Sequence, residues 1–175
     1  LSLDQACLLS PKPEVRLAAL LHDLGKAVTD KNKWPSHHDH EKKGLPILEQ
    51  LCQRLRIPKP FKSLAIQVMT YHTHCHRCFE LKATTLTDML SSLGAFKPSN
   101  STIKDFVLAC EADSKGRTGL ERAPYPQSSY ILGAVEAACK IDTSTAINSD
   151  LKGPQIGDAI RKLRITAIKN YIKSV

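Results

Sequence analysis

An all-α domain is what this sequence predicts, on three observations. Only 5% of the residues are aromatic while 42% are hydrophobic, so leucine, alanine and isoleucine carry the apolar pattern in long runs that favour helices over sheets. Apolar residues recur at helical spacing, as in Val15, Ala18, Ala19, Leu21 and Leu24. Prolines stand where helices would begin and glycines where they would end, the usual asymmetry of helix termini. At 175 residues the chain is expected to form one sizeable core.

The elements follow in order. Ser2-Leu3-Asp4-Gln5 reads as a capping box opening a short helix through about Leu9, which Pro11 breaks. Pro13 suits the first position of the next helix, Glu14 favours its positive end, and Gly25 is expected to stop it. A polar loop leads to His37-His38-Asp39-His40, which opens a third helix with Ile47, Leu48, Leu51, Cys52 and Leu55 on its core side and Pro46 as an early kink. Pro58 and Pro60 mark the following break, and Ala65, Ile66, Val68 and Met69 carry a fourth helix to Tyr71-His72-Thr73-His74-Cys75-His76. Thr85 with Asp88 reads as another cap before a helix ending near Leu93-Gly94, and Lys97-Pro98-Ser99-Asn100 as loop. Ile103, Phe106, Val107, Ala109 and Cys110 define a buried helix that delivers Glu111 and Asp113 at its C-terminal end, where acids oppose the helix dipole and need a reason to be. Pro126 begins a helix through about Ala138, Asp142 to Asp150 reads as polar loop, and Pro154 starts a terminal amphipathic helix.

Charge and length exclude some classes. No apolar run approaches the roughly 20 residues that cross a bilayer, and a soluble, cytoplasmic protein is expected. The six cysteines are not needed as bridges in a domain with a real core, in keeping with a reducing compartment. A net charge of +8 favours anionic partners such as nucleotides or RNA. Much of the excess sits late, in Lys152, Arg161, Lys162, Arg164, Lys169 and Lys173, as either a solvated helix face or one turned to RNA.

The chemistry-bearing residues cluster. All seven histidines fall between His22 and His76. His22 and Asp23 stand side by side at the end of an apolar helix; because neighbours on a helix diverge by about 100°, they meet one metal only at a cleft lined by other ligands. His72 and His76 are four apart and share a helical face. With His37, His38 and His40, and Asp113 as a distant carboxylate, mixed nitrogen and oxygen donors suit zinc, nickel, manganese, iron or cobalt better than calcium. A metal hydrolase follows, in which the ion activates water and polarises a phosphoryl oxygen while Lys26 and Arg117 hold the phosphate. Taken alone, His37, His38 and His40 are equally consistent with surface or capping roles, and His74 and Cys75 read as packing or solvent residues rather than ligands. Cys75-His76-Arg77-Cys78 has the gap of a zinc knuckle but lacks a second such pair. No serine or cysteine stands in a recognisable nucleophile turn, and no glycine-rich phosphate loop occurs.

His22-Asp23-Leu24-Gly25-Lys26, then His40-Glu41-Lys42-Lys43-Gly44, then His72, then Asp113, resembles the HD superfamily of metal-dependent phosphohydrolases. Trp34-Pro35-Ser36-His37-His38-Asp39-His40, the segment Glu111 to Gly119, and Tyr125-Pro126-Gln127 are similar to the C-terminal region of the bacterial multifunctional CCA-adding enzymes, a tRNA nucleotidyltransferase family. The resemblance implies an HD helical bundle over 1–140, with 141–175 a basic C-terminal helix packing on it or facing tRNA. It implies His22, Asp23 and Asp113 as metal ligands, His40 and His72 as further ligands, and His37, His38 and His76 as second-tier candidates. It also implies 2′,3′-cyclic phosphodiesterase, 2′-nucleotidase and phosphatase activity, with Ni²⁺ favoured and Mn²⁺ or Mg²⁺ as substitutes. Implied partners are tRNA, a 2′,3′-cyclic or 2′-phosphorylated nucleotide, and an N-terminal nucleotidyltransferase region without which CCA is not added; a homodimer is compatible with it. HD domains usually take a first histidine ligand from a preceding helix. No histidine precedes His22, so the centre is expected to be one ligand short. A helical tRNA-binding tail with a degenerate HD site is the alternative from a different class, and a nucleotide-sensing HD domain a third.

Overall fold

The computed structural model describes residues 1–97, 102–147 and 151–175, and the side chain of Thr145 is outside the description. Within those residues every regular element is helical, as expected. The chain divides into two compact units, Leu1–His76 with Lys104–Ser128, and Arg77–Ile103 with Ser129–Val175.

The first unit contains α1 (Ser2–Leu9), α2 (Pro13–Leu21), α3 (His40–Arg54), α4 (Lys59–His76) and most of α6 (Thr102–Lys115). Its core forms where α2 packs on α4 and α3 packs on both α4 and the 3₁₀ turn Leu24–Val28. Small residues set the spacing: Ala6, Ala19 and Ala112 meet in one buried cluster with Leu9 against it, so α1, α2 and α6 approach closely. Larger side chains, Leu48, Val68, Met69 and Phe106, fill the remaining interior and are fully buried.

The second unit contains α5 (Ala83–Ser92), most of α7 (Gln127–Cys139), the single turn α8 (Ser144–Ile147) and α9 (Pro154–Ser174). Arg161 on α9 makes a two-pronged ion pair with Asp88 on α5, both contacts at 2.7 Å. Arg164 lies over the Phe96 ring at 4.3 Å, and Tyr171 packs on Tyr130 with centroids 5.6 Å apart. Two arginines of the basic α9 stretch are therefore engaged within this unit.

Several local expectations are corrected. Ser2 is inside α1 with Leu1 as N-cap, and no side chain caps the helix. Lys82, not Thr85, precedes α5, again without a side-chain cap, and Asp88 pairs with Arg161 instead. Helix α2 ends at Leu21, before Gly25, and Gly25 belongs to the 3₁₀ turn. Helix α3 runs through Pro46. The stretch taken as loop from Asp142 contains α8; residues 98–100 and 148–150 lie outside the described residues.

Two glycines make the contact that the first unit's site depends on. A Cβ on Gly25 would collide with the carbonyl oxygen of His40 and come within 2.6 Å of the Gly44 nitrogen, and one on Gly44 would sit 2.8 Å from the Met69 sulfur. The 3₁₀ turn thus lies directly on the first turns of α3. Gly25→Ala is expected to destabilise the protein by roughly 1–3 kcal/mol, the cost of overpacking a close contact. Thermal unfolding of the variant beside Ala27→Gly, at an exposed neighbour, checks this.

Candidate metal centre

His22, Asp23, His40, His72, His76 and Asp113 come together within the first unit, although the chain separates the first from the last by most of the unit's length. The end of α2 lets His22 and Asp23 face the same way. His22 is the helix's C-cap with α geometry, and Asp23 leaves it at φ −106° and ψ 12°, so the divergence of neighbouring helical positions no longer applies.

Each imidazole is oriented by a backbone carbonyl three or four residues before it, within the helix for His22 and His72 and in the turn leading into α3 for His40. The Nδ1–H of His22 donates to the Ala19 carbonyl at 2.8 Å, that of His40 to the His37 carbonyl at 2.9 Å, and that of His72 to the Val68 and Met69 carbonyls at 3.1 and 3.2 Å. Those bonds commit Nδ1 of all three rings and leave Nε2 as the nitrogen each can turn to a metal, once His22 has given up its second proton. The three Nε2 atoms converge. Nε2 of His40 and His72 are 3.2 Å apart; Nε2 of His22 is 3.0 Å from both Asp23 Oδ2 and Asp113 Oδ1; and Asp23 Oδ1 is 3.3 Å from His40 Nε2 and 3.7 Å from His72 Nε2.

These donors fit a cation better than they fit one another. His22 Nε2 and Asp23 Oδ1 are buried and have no hydrogen-bond partner: the distances allow attraction, but the atoms are not aligned to share a hydrogen. Buried polar atoms left so cost stability unless something pairs with them. His22, Asp23 and His72 offer ligand atoms within 4.8 Å of one another, a set that matches a divalent ion's reach among the described residues. His40 Nε2 and Asp113 Oδ1 border the same space.

His76 is placed differently. Its Nε2 is 2.7 Å from Asp113 Oδ2 and its Nδ1 is 2.8 Å from the Tyr125 hydroxyl, which also lies 3.4 Å from Cys75 Sγ. With Nε2–H donating to the carboxylate and Tyr125 O–H donating to Nδ1, no lone pair remains for an ion. His76 instead holds Asp113 so that its other oxygen faces His22. The acids at the end of α6 now have their reasons, Asp113 here and Glu111 in contacts with Lys115 at 2.6 Å and Ser128 at 3.1 Å.

The remaining candidates scatter. Lys26 Nζ is 2.6 Å from Asp23 Oδ2 with its side chain 40% exposed, so its ammonium is at the rim of the centre. Arg117 is exposed in the turn after α6, and His38 is exposed. His37 is half-buried, its Nδ1 2.6 Å from the Thr29 hydroxyl, and reaches the centre through its carbonyl on His40. Cys75 is buried and His74 meets Tyr71 edge-to-face at the surface, as packing residues do. The residues missed were Tyr125 as a partner of His76, and Glu41, which accepts from Thr73 at 2.7 Å and lies 3.5 Å from His40 Nδ1. Glu41 had a signal, adjacency to His40; Tyr125 had none in the spacing.

The charges reinforce one another. Burial by itself lowers the His22 pKa, but Asp113 and Asp23 outweigh it and push it up to about 10. Burial raises both carboxylates, yet His22 with Lys26 holds Asp23, and His22 with His76 holds Asp113, well below the usual carboxylate range. His72 is pushed down to about 4, first by burial and then by the His22 charge.

A profile of the HD domain matches residues 3–91, just over half the chain and inclusive of His22, Asp23, His40 and His72. The chain belongs to the HD domain family. That places it among metal-dependent phosphohydrolases. It is 51% identical over 170 residues to a protein named Multifunctional CCA protein from Teredinibacter turnerae, covering 97% of this chain and 41% of that protein. Proteins of the same name from Methylococcus capsulatus (49% identical; 95% of this chain, 39% of theirs) and Hahella chejuensis (44%; 98% and 40%) are similar. The chain thus spans about two fifths of the length of these relatives. No solved structure gives a significant match.

Two outcomes follow for an HD centre of this kind. Because the proton on His22 must leave when a metal binds, titration calorimetry in buffers of different ionisation enthalpy should show proton release on metal binding at pH 7.5. Affinity should strengthen as pH rises towards about 10, where His22 loses that proton unaided, and weaken further in acid as pH falls through about 4 and His72 protonates, ahead of the carboxylates. Tyr125→Phe, which removes the hydroxyl from His76, should weaken metal affinity by about 10-fold, within the range for residues that orient ligands, with unchanged circular dichroism.

Proposed function

We propose that this centre hydrolyses 2′,3′-cyclic phosphates and 2′-phosphates of nucleotides or of tRNA ends, as the HD region of a CCA-adding protein in the cytoplasm. The observation that carries it is the convergence of three backbone-oriented imidazoles with Asp23 and Asp113 around His22 Nε2 and Asp23 Oδ1, neither of which has a hydrogen-bond partner. His22, Asp23, His72 and Asp113, with His40 beside them, would hold a divalent ion. When bound, such an ion polarises a phosphoryl oxygen and lowers the pKa of a water at the site. Nitrogen-rich donors support Ni²⁺ over Mn²⁺ or Mg²⁺, since affinity for such donors rises from manganese to nickel and magnesium prefers oxygen.

The chain's own residues supply the rest. Lys26, anchored on Asp23 yet open to solvent, is placed to neutralise a non-bridging phosphate oxygen. Arg117, exposed after the helix that carries Asp113, is available to hold a second. Burial of His22 and His72 keeps the reacting side of the centre partly shielded from water, which strengthens each of these attractions. tRNA as the natural context is supported by the likeness to the Multifunctional CCA proteins.

Hydrolysis of 2′,3′-cyclic AMP with Ni²⁺, Mn²⁺, Mg²⁺ or chelator tests the reading. Turnover is expected to be highest with Ni²⁺, to vanish with chelator, and to fall by about 100-fold or more in Asp23→Ala, the scale of losing a group that acts as part of a unit. A metal-loaded protein that turns over no 2′,3′-cyclic or 2′-phosphate, yet binds tRNA with steep salt dependence, would instead be a helical tRNA-binding tail.

A further inference from the structure

The loop between Asp23 and His40 holds the chain's one tryptophan where burial is forgone. Trp34 is 52% exposed, although a side chain of this size gains more than most from being covered. It is nonetheless held. Its indole N–H donates to Thr29 Oγ1 at 3.3 Å, and Thr29, itself only 6% exposed, donates to the Lys26 carbonyl at 2.8 Å and meets His37 Nδ1 at 2.6 Å. The indole also leans on the His37 ring, with centroids 5.6 Å apart and planes at 54°. His37 in turn orients His40 through its carbonyl. Trp34 is thus tied by one shared hydroxyl to the residue that carries the Lys26 ammonium, and by one ring to the residue that orients His40.

The neighbours along the loop are cationic. Lys31 and Lys33, both just before Trp34 in the chain, are exposed, and Lys26 sits on Asp23. A hydrogen-bonded, half-exposed aromatic beside lysines matches what holds nucleic-acid ends: a ring on which a base stacks and cations for the adjoining phosphates.

We propose that Trp34 is a nucleobase platform that gives the HD centre its preference for nucleoside phosphates over base-free phosphoesters. The inference rests on the phosphohydrolase reading for its catalytic consequence, but not for binding itself. The Trp34 hydrogen bond fixes the ring, the base stacks on the exposed indole, Lys31 or Lys33 meets a neighbouring phosphate, and the scissile phosphate is delivered towards Lys26. Trp34 is a specificity residue and takes no part in moving protons.

A single tryptophan makes the test direct. Excited on its own, the intact chain is titrated with adenosine 2′-monophosphate and, as a base-free control, ribose 5-phosphate. Saturable quenching by the nucleotide and none by the sugar phosphate is expected. In parallel, Trp34→Ala should raise KM for 2′,3′-cyclic AMP by about 5- to 150-fold, the range base stacking spans, with a smaller change in kcat, and Trp34→Phe should recover most of the loss. Absent quenching, equal quenching by ribose 5-phosphate, or an unchanged KM in Trp34→Ala overturns the inference. Quenching requires no turnover, so nucleotide-specific quenching in a protein that hydrolyses nothing removes the phosphohydrolase reading and keeps the platform, whereas hydrolysis without quenching does the reverse.

Discussion

Hydrogen bonds from three imidazole Nδ1–H groups to backbone carbonyls are what the centre depends on. His22 to Ala19, His40 to His37 and His72 to Val68 and Met69 all reach back three or four residues, about one turn of chain. Each bond fixes a ring and its tautomer at once. The consequence is electrostatic: lone pairs and carboxylate oxygens are brought within 3.0 to 3.7 Å of one another and repel unless a cation stands among them. In the metal-free protein that cation is the proton on His22, which is why its pKa rises against the effect of burial.

Packing makes the arrangement possible. His40 starts α3, and its carbonyl lies so near Gly25 that no side chain fits there. The turn bearing Asp23 and the helix bearing His40 are thereby held at backbone contact, and Met69 behind Gly44 brings α4, which bears His72, to the same place. Alanines do the equivalent work at the other side of the unit, where Ala6, Ala19 and Ala112 let α1, α2 and α6 close up, and α6 delivers Asp113. The His76 and Tyr125 contacts then lock that carboxylate. Binding chemistry here rests on small residues as much as on ligands.

Much was legible from residue order. The helical elements, the proline starts at Pro13 and Pro154, and the grouping of His22, Asp23, His40, His72 and Asp113 follow from periodicity, punctuation and motif. The failures were of two kinds. The expected caps at Ser2 and Thr85 do not form: both residues lie inside their helices, behind Leu1 and Lys82, and Asp88 pairs with Arg161. His76 has the same spacing from His72 as a ligand pair would, but both of its nitrogens are engaged by Asp113 and Tyr125, and no local pattern encodes those contacts.

By itself the sequence determined which helices form, which donor types are present and, through short-range hydrogen bonds, which nitrogen of each ring is free, because all of these are set within a turn or two of chain. Only the tertiary structure decided that those nitrogens converge, that His76 has both ring nitrogens engaged elsewhere, and where Trp34 stands. Those outcomes depend on contacts such as His22 with Asp113 and Gly25 with His40, between segments whose approach is fixed by how side-chain volumes pack and by no local preference of the backbone.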